Sequence, residues 1–200
     1  MHIVDGVLSA PVILAGTAAA VAGTAWGLRR LAPEQIPQTA LLAALFFVAS
    51  LVHVPLGPVS AHLALTGLMG LVMGWAAFPA VLVGLVLQGI FFGFGGITVL
   101  GVNTLNMALP AVVVGALLGG PALRRASLAG AAVRGFLAGA GAIAGAAALV
   151  ALALASSGGE LVLAAQLILA GHLPVMLVEG AVTAAAVTAL LRLRPEGLAA

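Results

Sequence analysis

Apolar runs, each about the length of a bilayer crossing, follow one another along nearly the whole of this chain, and that succession constrains its fold more than any single motif. Measured against a span of about 20 residues, seven segments stand out. The first runs from Ser9 to Leu28, with Ser9 placed to cap it and Pro11 tolerated in the first turn. The second lies between Pro37 and Val54, the third runs from His62 to Trp75, and the fourth from Pro79 to about Phe94. A glycine-rich turn at Gly93-Phe94-Gly95-Gly96 leads into a fifth segment ending near Leu118, and Leu128 to Ser156 hold the sixth. The last stretch, Leu161 to Leu193, is too long for one straight span and is interrupted at His172-Leu173-Pro174, where proline removes a backbone hydrogen bond and bends the helix. The expected fold is all-α, a polytopic bundle of seven transmembrane helices in one domain over residues 1–200.

Composition agrees. A soluble domain carries about a quarter charged residues; here they are 6%, against 64% hydrophobic, with a mean hydropathy of +1.31. The formal charge of +2 comes from a handful of arginines and carries no nucleic-acid message. The absence of cysteine removes disulfides, thiolate metal sites and thiol redox centres together.

Charge placement orients the bundle. Arg29 and Arg30 follow the first apolar segment rather than precede it, so that segment is expected to be retained rather than cleaved as a signal peptide. With the start outside and the C-terminus inside, the inner loops collect Arg29, Arg30, Arg124, Arg125 and Arg134, and the tail holds Arg192 and Arg194, as the positive-inside rule requires. The outer ends then gather His2, Asp5, His53, His62 and the Gly93–Gly96 turn.

Histidine at position 2 has a specific chemistry. The amine of Met1, the peptide nitrogen of His2 and its imidazole can close two fused chelate rings, of about five and six members, on one ion. A fourth nitrogen from elsewhere would complete a planar site of the kind Ni²⁺ or Cu²⁺ favours and Co²⁺ can occupy. Methionine before a bulky residue is normally kept. The alternative at this position is a polar residue in a frayed terminus.

His53 and His62 flank Pro55, Gly57 and Pro58, which cannot continue a helix, so an extended outer loop is expected there, with Ser60 placed to cap the third helix. A histidine at membrane depth needs a partner or a polar cavity; interfacial solvation is the competing reading, more so for His53 than for His62. Glu179 is the only carboxylate deep in a span, with His172 as a candidate partner, and a structural or gating role is expected for it rather than metal ligation. Gly70-Leu-Val-Met-Gly74 and the Ala15, Ala18, Ala19, Ala22 and Gly23 stripe let helices approach closely, or offer a docking face. No phosphate-binding Gly-Lys-Ser/Thr loop is present, so ATP hydrolysis is excluded for this chain. Nor is there a catalytic triad or carboxylate pair, so an enzyme is not expected.

Four stretches carry a family resemblance: Met1-His2-Ile3-Val4-Asp5-Gly6; Pro58-Val-Ser60-Ala-His62-Leu; Phe92-Gly-Phe-Gly-Gly-Ile-Thr98-Val-Leu-Gly101-Val-Asn103-Thr-Leu-Asn106-Met107; and His172-Leu-Pro174 with Glu179-Gly180. In this order they resemble the cobalt/nickel substrate-capture subunits, of the CbiM/NikM type, of energy-coupling-factor importers. The resemblance implies that Met1, His2 and His62 hold Co²⁺ or Ni²⁺ in a plane of four nitrogens, as transported substrate. It implies that Asn103 hydrogen-bonds within the site and that His53, Asp5 and Ser60 take supporting or pathway roles. No organic cofactor is expected. Implied partners are a membrane coupling component, cytoplasmic ATPase subunits, a separate small accessory membrane subunit and the lipid of a prokaryotic plasma membrane. The departures are Val4 where relatives often carry Pro or Met, and a shorter loop, Leu56-Gly-Pro58, before His62. The competing function is a stand-alone divalent-metal channel or secondary permease.

Overall fold

The computed structural model describes residues 2–56 and 59–193. Met1, Gly57, Pro58 and Arg194 therefore lie outside the described residues. Helices dominate: α1 Ala10–Arg30, α2 Ile36–Ala49, α3 Thr66–Met73, α4 Ala77–Phe92, α5 Leu100–Leu118, α6 Gly120–Arg124, α7 Leu128–Ala155, α8 Val162–Gly171 and α9 Leu173–Leu193. Between α2 and α3 the expected extended loop is an antiparallel ribbon of β1 His53–Leu56 and β2 Val59–His62, with His53 opposite His62 in the register.

Among the described residues five stretches are long and apolar enough to cross a membrane: Ala10–Arg30, Thr66–Phe92, Leu100–Leu118, Leu128–Ala155 and Gly159–Leu193. Their surfaces carry many exposed large apolar side chains, among them Leu14, Val21, Ile90, Leu117 and Leu163. In water such a surface would be an aggregation liability; in lipid it is the solvated face. This is a multi-pass membrane protein.

Length alone misdescribes Thr66–Phe92. The chain runs down α3, where Gly67 abuts Ala138 and Gly139 of α7, Gly70 meets the Ala111 carbonyl of α5, and Leu71 reaches Gly119 at the far end of α5. It then turns back. Gly74, at φ 53° and ψ −121°, holds a conformation that costs an L-residue roughly 1–3 kcal/mol. Trp75 closes the turn, its carbonyl beneath Gly27 and its ring stacked on Phe78. From there α4 rises, with Phe78 against Gly23 of α1 and Gly84 against Phe46 of α2. The Gly70/Gly74 pair thus divides its labour: Gly70 is a helix contact and Gly74 a turn.

The α1 stripe divides as well. Gly16, Ala20, Gly23 and Gly27 are buried, against Val102, Phe78 and Trp75 where the contacts are resolved, whereas Ala15, Ala18, Ala19 and Ala22 face outward. Ser9 occupies the N-cap position without a side-chain cap; its backbone N–H donates to Ser157 Oγ at 3.1 Å instead.

Two ends result. One carries His2, the β-ribbon and the Gly93–Gly96 turn; the other carries Arg30 over Trp26 (4.8 Å to the ring), Arg124, Arg134 and Arg192. A main core of α2–α5, α7 and α9 residues fills the bundle. A second cluster at the histidine end packs Ile3 and Leu8 against Val99, Val102, Val150, Leu154 and Ile168.

Candidate metal centre

From His2 to Asp5 the chain is strapped down rather than frayed. Ile3 is fully buried, a burial worth about 1.5–3 kcal/mol. Asn103, in the first turn of α5, clamps its backbone from both sides: Asn103 Oδ1 accepts the Ile3 N–H and Asn103 Nδ2 donates to the Ile3 carbonyl, each at 3.0 Å. Two residues on, the Asp5 carboxylate accepts the backbone N–H of Thr98 at 3.1 Å and its hydroxyl. Asp5 lies so close over Gly96 that a Cβ there would overlap it. Gly95 sits at φ +78°, and a Cβ on it would stand 3.2 Å from Asn103 Nδ2 and 3.6 Å from His2 Nδ1. The glycine pair keeps side chains out of the centre.

His2, 3% exposed, is carried by this strap to His62, 2% exposed. Their rings stack with centroids 4.6 Å apart and planes 19° from parallel. Phe94 flanks His2 at 5.7 Å, and Phe46 meets His62 edge-on at 6.3 Å. His62 Nδ1 lies 2.8 Å from the Leu63 carbonyl. With the proton on Nδ1, donated to that carbonyl, the Nε2 lone pair is left buried and without a hydrogen-bond partner among the described residues. Holding one imidazole nitrogen on a carbonyl so that the other can ligate is how metal-binding histidines are oriented. Burial first, and then neighbouring positive charge including that of His2, holds the His62 pKa well below the usual 6.5, so the ring is neutral and ready to ligate at neutral pH.

That shift has a stability consequence. A histidine whose folded pKa is depressed is protonated more readily unfolded than folded, so the folded state is favoured above pH 6.5 and loses ground as pH falls from there. The metal-free protein is expected to melt at progressively lower temperature on acidification from about pH 7 to 5, and His62→Gln is expected to flatten that dependence. Thermal melts across the range check it.

Glu179, expected deep in a span with His172 as its partner, instead reaches the turn just after His62. Its Oε1 accepts the backbone N–H groups of Ala64 and Leu65, the latter at 2.9 Å, and Oε2 lies 3.0 Å from the same Leu65 nitrogen. The short helix α3 starts inside the bundle, where water cannot serve its first N–H groups. The α9 carboxylate serves the turn that leads into it, two residues from His62. Leu65 adopts φ 54° beneath it. Ser60 is therefore not the cap: it lies in β2 opposite Pro55, six residues before α3 begins. Nor is His172 the partner of Glu179, since its Nδ1 bonds the Ile168 carbonyl at 2.7 Å and its buried Nε2 has no partner among the described residues.

The structure thus gathers His2, His62 and Asn103, with Asp5 at the edge, and pairs the His53 backbone with that of His62. Sequence reasoning missed Thr98, Phe46 and Phe94, and gave Glu179 the wrong partner. Among the described residues no three His, Asp or Glu side chains converge on one point.

These features define a class: a polytopic helical membrane protein whose buried N-terminal strap brings two imidazoles into contact at one end. The chain belongs to the family described as the CbiM cobalt uptake substrate-specific transmembrane region, which matches residues 2–197. It is 45% identical over 197 residues to a putative metal transport protein of Haemophilus influenzae, covering 98% of this chain and 96% of that protein. It is 44% identical over 124 residues, 58% of this chain and 35% of the relative, to a fused nickel transport protein of Rhodobacter capsulatus. A crystal structure of a truncated transition metal transporter superposes with a TM-score of 0.74 at 26% identity, over 96% of this chain and 99% of that one.

Proposed function

We propose that this chain is the metal-capture subunit of an energy-coupling-factor importer, taking Co²⁺ or Ni²⁺ at the outer face of a prokaryotic plasma membrane. The ion is held by the Met1 amine, the His2 peptide nitrogen and imidazole, and the His62 Nε2. The observation that carries this reading is the stacked, buried pair of His2 and His62, with the buried Nε2 of His62 lacking a hydrogen-bond partner among the described residues. A planar set of four nitrogens suits nickel and cobalt and leaves little room for an activated water, which favours cargo capture over hydrolysis.

In this reading the bundle crosses the membrane seven times, α3 and α4 counting as separate passes and α2 as a short one. The histidine end lies outside and the arginine end inside, as positive residues prefer. Transport draws on a membrane coupling component and cytoplasmic ATPases, with the outward Ala15, Ala18 and Ala22 face of α1 as a candidate contact.

Proteoliposomes test the coupling. The chain alone is expected to bind ⁵⁷Co²⁺ or ⁶³Ni²⁺ without accumulating it, and uptake is expected only when coupling component, ATPases and ATP are added. Metal entry into vesicles holding this chain alone, without nucleotide, would make it a free-standing permease.

A further inference from the structure

At the arginine end, away from the histidines, a groove of about 680 Å³ runs between α1, α5 and the Gly74 turn. Ala19 and Gly23 of α1 and Leu109 of α5 line its apolar length; Trp26, Arg30 and Trp75 line its end. Trp26 and Trp75 are the two tryptophans of the chain, and their rings meet edge-on at 6.4 Å. Tryptophan favours the membrane–water interface, where its apolar body and its polar N–H are both served.

The Arg30 guanidinium stands over the Trp26 ring, 4.8 Å from its centroid. A guanidinium held face-on by an indole keeps its N–H edge open to a pair of oxygens. Among the described residues no carboxylate takes that edge, and no acidic side chain lines the groove. From Ala19 to Arg30 the helix rises about 16 Å at roughly 1.5 Å per residue, close to the ~15 Å depth of one leaflet's hydrocarbon. An amphiphile with a negative head and an apolar tail matches the groove in sign and in length. A helix matches it less well: spread over that rise, the cavity has a section of about 40 Å², half that of a helix about 10 Å across.

We propose that this groove binds an anionic phospholipid of the leaflet at the arginine end, its phosphate on Arg30 beside the tryptophans and one acyl chain along the small residues of α1. Anionic lipid is characteristic of the cytoplasmic leaflet, the side on which the proposed orientation puts this end. Ala15 and Ala18 do not line the groove, so the lipid flanks the face offered to a coupling component. The inference stands on the groove and does not depend on metal capture.

The two tryptophans report the site directly. The full chain, without metal or partners, is reconstituted in phosphatidylcholine vesicles carrying a minor fraction of dibromo-phosphatidylglycerol or of dibromo-phosphatidylcholine, whose bromines quench a neighbouring indole. Half-maximal quenching is expected at an anionic fraction about fivefold lower than the zwitterionic one, which is what a single arginine at a charged headgroup supplies. Arg30→Gln is expected to bring the two curves together; comparing the lipids as a ratio cancels any change in Trp26 emission. Ala19→Phe, which fills the groove from an exposed helix position, is expected to weaken quenching by the anionic lipid while the melting temperature stays unchanged. Equal quenching by both lipids in the native chain would overturn the inference and leave the groove to a protein partner. A preference that survives Arg30→Gln would move the headgroup to another arginine, and quenching untouched by Ala19→Phe would put the lipid on the open surface; either overturns it as well.

Discussion

Three residues added ahead of Met1 are expected to abolish tight cobalt and nickel binding, and His62→Ala to weaken it by about two orders of magnitude. A fully ligated site of four donors is worth on the order of 10–16 kcal/mol, so one ligand accounts for roughly 3 kcal/mol, or a hundredfold. At the proposed site the extension would do more harm, because it would carry the free amine too far from the His2 imidazole to share fused rings with it. It also pushes extra chain into a crowded place: Ile3 is fully buried and clamped on both backbone atoms by Asn103, so the strap cannot slide to make room. Isothermal titration of protein carrying only a C-terminal tag, against the extended form, reads the difference directly. Equal affinities would remove the N-terminal chelate from the account, whatever His62 then did.

The second large effect is expected at Glu179. Glu179→Ala leaves the Ala64 and Leu65 N–H groups without acceptors inside the bundle, each at about 1–3 kcal/mol, and frees the turn that aims His62. Melting temperature and metal affinity are therefore expected to fall together, the affinity by tenfold or more. Glu179→Gln keeps an acceptor oxygen in place and is expected to retain most of both. A Glu179→Ala protein that melts and binds like the native one would show that α3 and His62 are held by packing alone. Either result separates this long-range tie, 115 residues apart in sequence, from the local Nδ1–carbonyl bond that orients the ring itself.

The turn at Gly74 shows why length and hydropathy are incomplete guides. Apart from Gln88, residues 66–92 are apolar or small, and length and hydropathy alone do not distinguish one long crossing from a short descent and a return; the break expected between Trp75 and Pro79 does. The reversal depends on a positive φ at Gly74 and on Trp75 wedging between Gly27 and Phe78, contacts made with α1 rather than within the run. The seven segments read from the sequence nonetheless fall on helices, with the third shortened at its start to Thr66 because His62, its expected start, ends a strand. His53 and His62, nine positions apart, become cross-strand neighbours through that ribbon.

By itself the sequence determined that the chain dissolves in lipid, that its helices are apolar on most faces, and that arginines collect at one end and most histidines at the other. Composition and spacing suffice for these because transfer from water to hydrocarbon depends on each segment's own side chains. Only the tertiary structure decided what the buried polar groups are for. Asn103 grips Ile3, Asp5 holds Thr98, and Glu179 serves the start of α3, and each of these bonds joins residues more than ninety positions apart. A polar side chain in a membrane must find a partner, yet which partner it finds is set by where the helices pack.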